Sequence, residues 1–325
     1  MIKIIGSFKD HTDGTIKSVY KVNNKIIEMS MLYNKEDKDV ICVPTHHYCN
    51  LGCKMCHLTN SKMHKPMQKI KIDDFMYCIL ETLKKYKTEK KKLLISFMGV
   101  GEPLLNLELI ENVFNEQNKI KELGYNDISY AISTMMPNNN LLLLSKMVNE
   151  LNLPIKVHFS MHNPIDNLRK KLIPSTNVSV EEALNLLLIY RYNVKHNKKI
   201  MDNYKKFHRT DEPIEIHYTL IKNVNDSDKE LRSLIKLLKN YPITIKFIKF
   251  NPTNNLNISK NEDKWINELN KNVPKLRIKK YSPPGREVGS SCGEFTKHYY
   301  LSEFETKEEK IAYINWKQQH MIKNN

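Results

Sequence analysis

Three cysteines stand in the run Cys49-Asn50-Leu51-Gly52-Cys53-Lys54-Met55-Cys56, a C-x3-C-x2-C spacing that comes after the short apolar segment Asp39-Val40-Ile41-Cys42-Val43-Pro44. Thiols this close together cannot all be core residues, and two kinds of metal site would use them. A tetrahedral zinc needs four Cys or His ligands, and His46, His47 or His57 in the same loop could supply the fourth. A cubane iron-sulfur cluster held by three thiolates instead leaves one iron open to bind a substrate. Disulfides fit less well, since no signal peptide is read ahead of the run and six cysteines in 325 residues make no secreted framework.

A second stretch with chemical potential is Phe97-Met98-Gly99-Val100-Gly101-Glu102-Pro103-Leu104-Leu105-Asn106. Its glycines let backbone approach a ligand closely, and its proline fixes the turn into the next helix. Glu102 could accept the ammonium of a bound amino acid through a charge-assisted hydrogen bond. Alone, the same residues read equally as an ordinary strand-to-helix loop. Two lone cysteines complete the inventory: Cys42, seven residues before Cys49, and Cys292, within Gly289-Ser290-Ser291-Cys292-Gly293-Glu294-Phe295. Taken singly, each reads as a buried structural thiol, as Cys78 does inside an amphipathic pattern.

These residues need a scaffold, and the sequence supplies alternating strand and helix signals. Strands are expected at 40–44, 92–98, 128–133, 155–160, 214–219 and 244–250, and helices at 73–87, 105–123, 138–150, 179–196 and 226–239. A β-then-α order repeated in this way implies parallel strands with right-handed crossovers. The thiol loop comes after the first of these strands, where barrel chemistry sits, so the expected fold is α/β, a partial (β/α)6 barrel. Ahead of it, 15–20 and 25–31 read as a hairpin turning at Val22-Asn23-Asn24. The expected division is residues 1–38 as a small β extension, 39–255 as the barrel and 256–325 as a C-terminal extension.

Hydrophobic residues make up 40% of the chain, enough for a real core. No apolar run approaches the roughly 20 residues of a transmembrane helix, so the expectation is a soluble cytoplasmic protein with reduced thiols and no membrane partner. The formal net charge of +16 invites a polyanionic partner such as RNA. Only six of the 52 basic residues are Arg, however, and lysine runs such as Lys90-Lys91-Lys92 are commonly solvated faces.

The spacing of the three thiols, with Gly-x-Gly-Glu-Pro some 45 residues later, resembles the radical S-adenosylmethionine (AdoMet) superfamily. The resemblance narrows to the methyltransferases of that superfamily that act on adenine carbons in RNA, at carbon 2 in ribosomal and transfer RNA or at carbon 8 in antibiotic resistance. Gly99-Val100-Gly101-Glu102-Pro103-Leu104-Leu105-Asn106 is similar to the family's M-G-E-P-L-L-N, Ser133-Thr134 to its S-T-S-G turn, and Ser160-Met161-His162-Asn163-Pro164 to its S-L-H-A-P. Ile165-Asp166-Asn167-Leu168-Arg169, Leu172-Ile173-Pro174, Asn223-Val224-Asn225-Asp226 and Phe250-Asn251-Pro252 come next in the family's order, and Cys42 and Cys292 fall where it has its C-V-S-S-Q-x-G-C and A-A-C-G-Q-L segments.

The resemblance implies a 4Fe-4S cluster on Cys49, Cys53 and Cys56, with AdoMet held by Gly101, Glu102, Ser133, Ser160, Met161, His162 and Asn251. It also implies two catalytic thiols. Cys292 takes a methyl group from one AdoMet, a deoxyadenosyl radical from a second removes hydrogen from that methyl, and the carbon radical adds to adenine. Cys42 then attacks the Cys292 sulfur and releases the product, leaving a disulfide. Glu28 matches the family's catalytic base. The implied partners are a ribosomal or transfer RNA adenosine, with carbon 2 ahead of carbon 8, and an electron donor such as flavodoxin or ferredoxin; a monomer is expected.

The chain departs from the family in four places. It starts near the hairpin, where the family has a helical RNA-binding domain first; it reads Pro44-Thr45-His46-His47-Tyr48 ahead of the cluster; Lys54-Met55 replaces a pair that usually ends in an aromatic; and Ser133-Thr134-Met135-Met136 lacks the glycine. Two other readings therefore stand beside the first: the same two-cysteine methylation of a smaller substrate, and a cluster-bearing RNA-binding protein without turnover.

Overall fold

The computed structural model describes residues 2–61, 63–208, 210–253, 256–290 and 307–322. Contacts divide the chain into two compact units, one of residues 1–50, 57–130 and 284–325, the other of residues 51–56 and 131–283.

The first unit begins with three antiparallel strands, β1 (Ile2–Lys9), β2 (Ile16–Val22) and β3 (Lys25–Leu32). Val22 pairs with Lys25 across a two-residue turn in which Asn23 takes φ 55°, a conformation that asparagine tolerates. Next, β4 (Asp39–Val43) pairs antiparallel with β3 and parallel with β5 (Lys92–Phe97), and α1 (Ile72–Tyr86) forms the crossover between them. Parallel strands covered on both faces read as continuous apolar runs, and Val40, Ile41 and Val43 are all buried. The stripe Phe75, Ile79 and Leu83 on α1 is fully buried, each side chain contributing about 1.5–3 kcal/mol. The helix expected over 105–123 is two, α2 (Leu107–Asn115) and α3 (Gln117–Lys121), broken at Glu116.

From β6 (Asp127–Thr134) the chain passes into the second unit, where β7 (Ile155–Ser160), β8 (Ile214–Tyr218), β9 (Ile245–Ile248) and β10 (Ile278–Tyr281) pair in parallel. One face of these strands carries the fully buried Val157, Phe159, Ile216 and Ile245. The alternate face carries Lys156, His158 and Ser160 on β7 and Glu215 and His217 on β8, with His158 opposite Glu215 and Ser160 opposite His217.

The helices of this unit are α4 (Leu141–Leu151), α5 (Asp166–Leu172), α6 (Val180–His196), α7 (Lys198–Phe207), α8 (Asp228–Asn240) and α9 (Glu262–Asn272). Asn197 both ends α6 and caps α7, its side chain accepting the Ile200 N–H at 3.2 Å. A last helix, α10 (Lys307–His320), belongs to the first unit and stacks Trp316 on Phe8 of β1. The α/β class read from the sequence stands, with a mixed sheet. Among the described residues no helix is long and apolar enough to cross a membrane.

Candidate functional site

The loops after β4 and β5 are built against each other. Val100 O accepts the N–H groups of Thr45 at 3.0 Å and His46 at 3.2 Å, and Asn106 Nδ2 donates to Thr45 O at 2.9 Å. Gly101 has φ +101°, and a Cβ there would lie 2.4 Å from His46 Nδ1, so no other residue fits. Glu102 is buried and accepts the Leu104 N–H at 3.1 Å, capping the single 3₁₀ turn Pro103–Leu105. His46 and His47 are buried as well, with Nδ1 bonded to Thr45 Oγ1 and to Ile26 O respectively. Burial, with Lys69 and His47 nearby, lowers His46 to about 4, so its ring is neutral at physiological pH. Two of the three histidines that could have completed a zinc site thus spend a ring nitrogen on holding the loop.

The thiol run comes next. Cys49 donates its N–H to Met63 O at 3.2 Å, and in the second unit Cys56 N–H closes a turn on Cys53 O at 3.0 Å while Lys54 N–H reaches Leu172 O at 3.0 Å. Gly52, just ahead of that turn, takes φ 70°. All three cysteines are partly exposed. That exposure suits ligands rather than core residues; the contrast is Cys78, whose thiol is fully buried and pushed well up by burial.

In the second unit, Ser133 at the end of β6 and Ser160 at the end of β7 have hydroxyls 3.2 Å apart. Beyond Ser160, Met161 is buried and His162 takes φ 54°, its Nδ1 accepting the Thr219 N–H at 3.1 Å. Burial, with His217 and Arg169 close by, lowers His162 to about 3, so the neutral ring keeps its proton on Nε2. Asn251, just beyond β9, is buried. Hydroxyls, backbone groups and an amide at the C-terminal ends of parallel strands form the setting in which α/β sheets bind small ligands.

Glu28 lies on β3, buried, with Lys17 Nζ at 3.2 Å; both side chains are almost inaccessible to solvent. Two residues along the same face, Ser30 stands opposite Cys42 in the β3–β4 ladder. Ser30 Oγ bonds to Ser290 Oγ at 2.9 Å, and Lys17 Nζ donates to Gly289 O at 3.3 Å. The loop that carries these contacts is anchored by Gly285 N–H to Asp13 Oδ2 at 2.7 Å and Glu287 N–H to Asp10 Oδ2 at 2.9 Å. Gly285 has φ +76°, and a Cβ would come within 2.7 Å of Ser290 Cβ. Cys292 lies outside the described residues, two positions beyond Ser290.

No motif or spacing points to a buried charged group on β7–β10, yet the fold assembles one. The ligand atoms of His158, Glu215 and His217 lie within 4.8 Å of one another, as the two imidazoles and the carboxylate of a metal site would. Three lysines decide against a cation. Lys156 Nζ is 3.2 Å and Lys246 Nζ 2.5 Å from Glu215, and Lys279 also contacts it, so a divalent ion would face three ammonium groups. Burial alone would raise the Glu215 carboxyl, but His217, His158, Lys156 and Lys246 carry it well below the usual range. The cluster is an ion-pair hub.

A radical SAM methyltransferase from Sphaerobacter thermophilus superposes with a TM-score of 0.70 at 18% identity, over 90% of this chain and 80% of that one. No protein-family model matches the chain. Among curated proteins, the "Probable dual-specificity RNA methyltransferase RlmN" of Clostridioides difficile is 26% identical over 293 residues, 88% of this chain and 77% of its own. The "Dual-specificity RNA methyltransferase RlmN" of Buchnera aphidicola is 26% identical over 289 residues, 87% and 74% of the two chains. The chain is similar to these methyltransferases over most of its length, and the resemblance read from its motifs is borne out.

Proposed function

We propose that the chain is a radical AdoMet methyltransferase that methylates a ring carbon of an adenosine in ribosomal or transfer RNA, carbon 2 in preference to carbon 8. The observation that carries this reading is the contact between Ser30 and Ser290. Ser30 faces Cys42 across the ladder, and Ser290 precedes Cys292 by two residues in the sequence. The contact sets Ser290 beside the strand position that faces Cys42, and this supports pairing Cys42 with the lone cysteine 250 positions later in the sequence as resolving and carrier thiols.

The donor set suits an iron-sulfur cluster and AdoMet. Three partly exposed thiols in a short turn-rich run suit a 4Fe-4S cluster, and Cys49, Cys53 and Cys56 would hold it. Glu102 would accept the AdoMet ammonium, Ser133 and Ser160 would bind its carboxylate or ribose, and Met161, His162 and Asn251 its ribose or adenine, with Gly101 giving the backbone close approach. When bound, the cluster and AdoMet supply the methyl group and the one-electron chemistry.

The chain's own residues do the rest. The Cys292 thiolate accepts and carries the methyl group. Glu28, held against Lys17 and shielded from water, is the base that takes the adenine ring proton. The Cys42 thiolate attacks the Cys292 sulfur: the S–S bond forms as the S–CH2 bond to the base breaks, the electron pair leaves with the methylene carbon, which takes up a proton to become the methyl group, and a Cys42–Cys292 disulfide remains. The formal charge of +16 suits the polyanionic substrate. We further propose an external one-electron donor of the flavodoxin or ferredoxin kind and a monomer acting in the cytoplasm.

The test is nucleoside mass spectrometry of RNA treated anaerobically with the reconstituted protein, reductant and AdoMet. Appearance of 2-methyladenosine supports the proposal, 8-methyladenosine reassigns the carbon, and neither product with an intact cluster overturns it.

A further inference from the structure

Arg169 is the one arginine among the largest fully buried side chains of the described residues, only 1% exposed, on the seven-residue helix α5. A guanidinium out of water must satisfy five N–H donors, and here it does so largely on backbone. Its Nε donates to Met161 O at 3.0 Å, one terminal nitrogen to Met135 O at 2.6 Å and to Ser160 O at 3.3 Å, and the other to Thr176 Oγ1 at 2.7 Å. The Thr176 hydroxyl reaches on to Met136 O at 3.2 Å, and the guanidinium sits 5.1 Å from the Phe159 ring centroid.

The carbonyls so held are not scattered. They belong to the two loops that leave β6 and β7, and each loop contains a non-glycine residue in the left-handed region, Met136 at φ 56° and His162 at φ 54°. Such residues persist only where their surroundings over-determine them. Arg169 grips the carbonyl immediately before each one, that of Met135 and that of Met161. Ser133 and Ser160 stand at the strand ends that feed these loops, and Met161 and His162 lie on the second loop. A lysine could not substitute, because its three donors share one nitrogen and cannot span the separate carbonyls and hydroxyl that the fork reaches with three nitrogens.

We infer that Arg169 is a positioning residue, whose guanidinium sets the backbone of the Ser133–Met136 and Ser160–His162 loops in the shape that binds AdoMet. The inference rests on the proposed function for the identity of the ligand, but not for the backbone geometry.

The experiment is hydrogen exchange by mass spectrometry on the full chain, with AdoMet titrated into the anaerobically reconstituted protein, for wild type, Arg169→Lys and the milder Thr176→Val. In Arg169→Lys, amides in peptides spanning 133–137 and 160–163 should exchange at least tenfold faster, while those of α8 (Asp228–Asn240) keep their protection. The dissociation constant for AdoMet should rise at least tenfold, and in turnover the loss should fall on the KM for AdoMet. Thr176→Val should loosen only 133–137, and it decides the matter should the lysine variant lose protection everywhere. Wild-type protein that binds AdoMet, with variants that bind within twofold and exchange as wild type does, would overturn the inference and leave the proposed function standing. Faster local exchange in a protein that binds no AdoMet would instead overturn the ligand assignment.

Discussion

Replacing Glu215 by Gln keeps the side chain's shape and removes its charge, leaving Lys156, Lys246 and Lys279 facing one another where one carboxylate had served all three. Lys156 is only 8% exposed, and burial, despite the favourable Glu215 charge, already lowers it to about 8. Without the carboxylate these ammonium groups are uncompensated, and breaking a buried pair in this way costs about 3–5 kcal/mol. With a urea slope of about 2 kcal/mol/M for a unit of this size, the unfolding midpoint should fall by about 1.5–2.5 M. A local reporter is present, because Trp265 is fully buried in the second unit with its ring 5.4 Å from Tyr218. Trp316, in the first unit, is removed as Trp316→Phe in the background, and the urea titration is followed by Trp265 fluorescence. As a control, Glu150→Gln breaks the exposed pair of Glu150 with Lys146 at 3.7 Å and should leave the midpoint in place. A Glu215→Gln midpoint within about 0.3 M of the parent would refute the hub as a stabilising element, and tight stoichiometric zinc in the parent would refute the electrostatic argument against a cation.

Glu102→Ala should weaken AdoMet binding by about 1.5–3 kcal/mol, roughly 10- to 150-fold by calorimetry, and an unchanged affinity removes Glu102 from the site. Anaerobically reconstituted protein should hold about four irons and four sulfides and lose them in Cys49→Ala, Cys53→Ala or Cys56→Ala; zinc without visible charge-transfer absorption would contradict this. Acid should destabilise the second unit, because His217, lowered to about 4, and His162, lowered to about 3, are neutral when folded but take up protons when unfolded below about 6.5. Their contribution is complete above pH 6.5 and lost as pH falls toward those values, together about 3–4 kcal/mol by pH 5, measured as a lower Trp265 urea midpoint; a midpoint that holds from pH 7 to 5 would show these histidines already charged.

Local pattern carries much of this site. The thiol run and the Gly-x-Gly-Glu-Pro turn each occupy about ten consecutive residues, so spacing alone exposes them, and the strands from β4 to β9 announce themselves by apolar runs. Other elements escape sequence pattern for identifiable reasons. β1 carries Gly6 and a register shift between Ile4 and Gly6, α5 has seven residues, and α7 begins one residue after α6, across Asn197. What long-range packing decides is not legible in the chain. Arg169 stands in the sequence as one member of a motif, and nothing local marks the four hydrogen bonds it makes to two loops and a threonine. The Ser30–Ser290 contact joins residues 260 positions apart, and nothing in the hairpin's sequence marks Lys17 as the buried partner of Glu28. Glu102 reads in sequence as a ligand-binding group, and its further task of capping the next turn emerges only in the fold.

The two-thiol account is tested most directly by Cys42→Ala incubated anaerobically with reductant, AdoMet and substrate RNA, then run on a denaturing gel with and without ribonuclease. If Cys292 carries the methyl group and Cys42 resolves the adduct, this variant should accumulate protein covalently joined to RNA, seen as a nuclease-sensitive upward shift that Cys292→Ala does not show. The shift appearing in Cys292→Ala instead would reverse the two roles, and full turnover by either variant would contradict the mechanism.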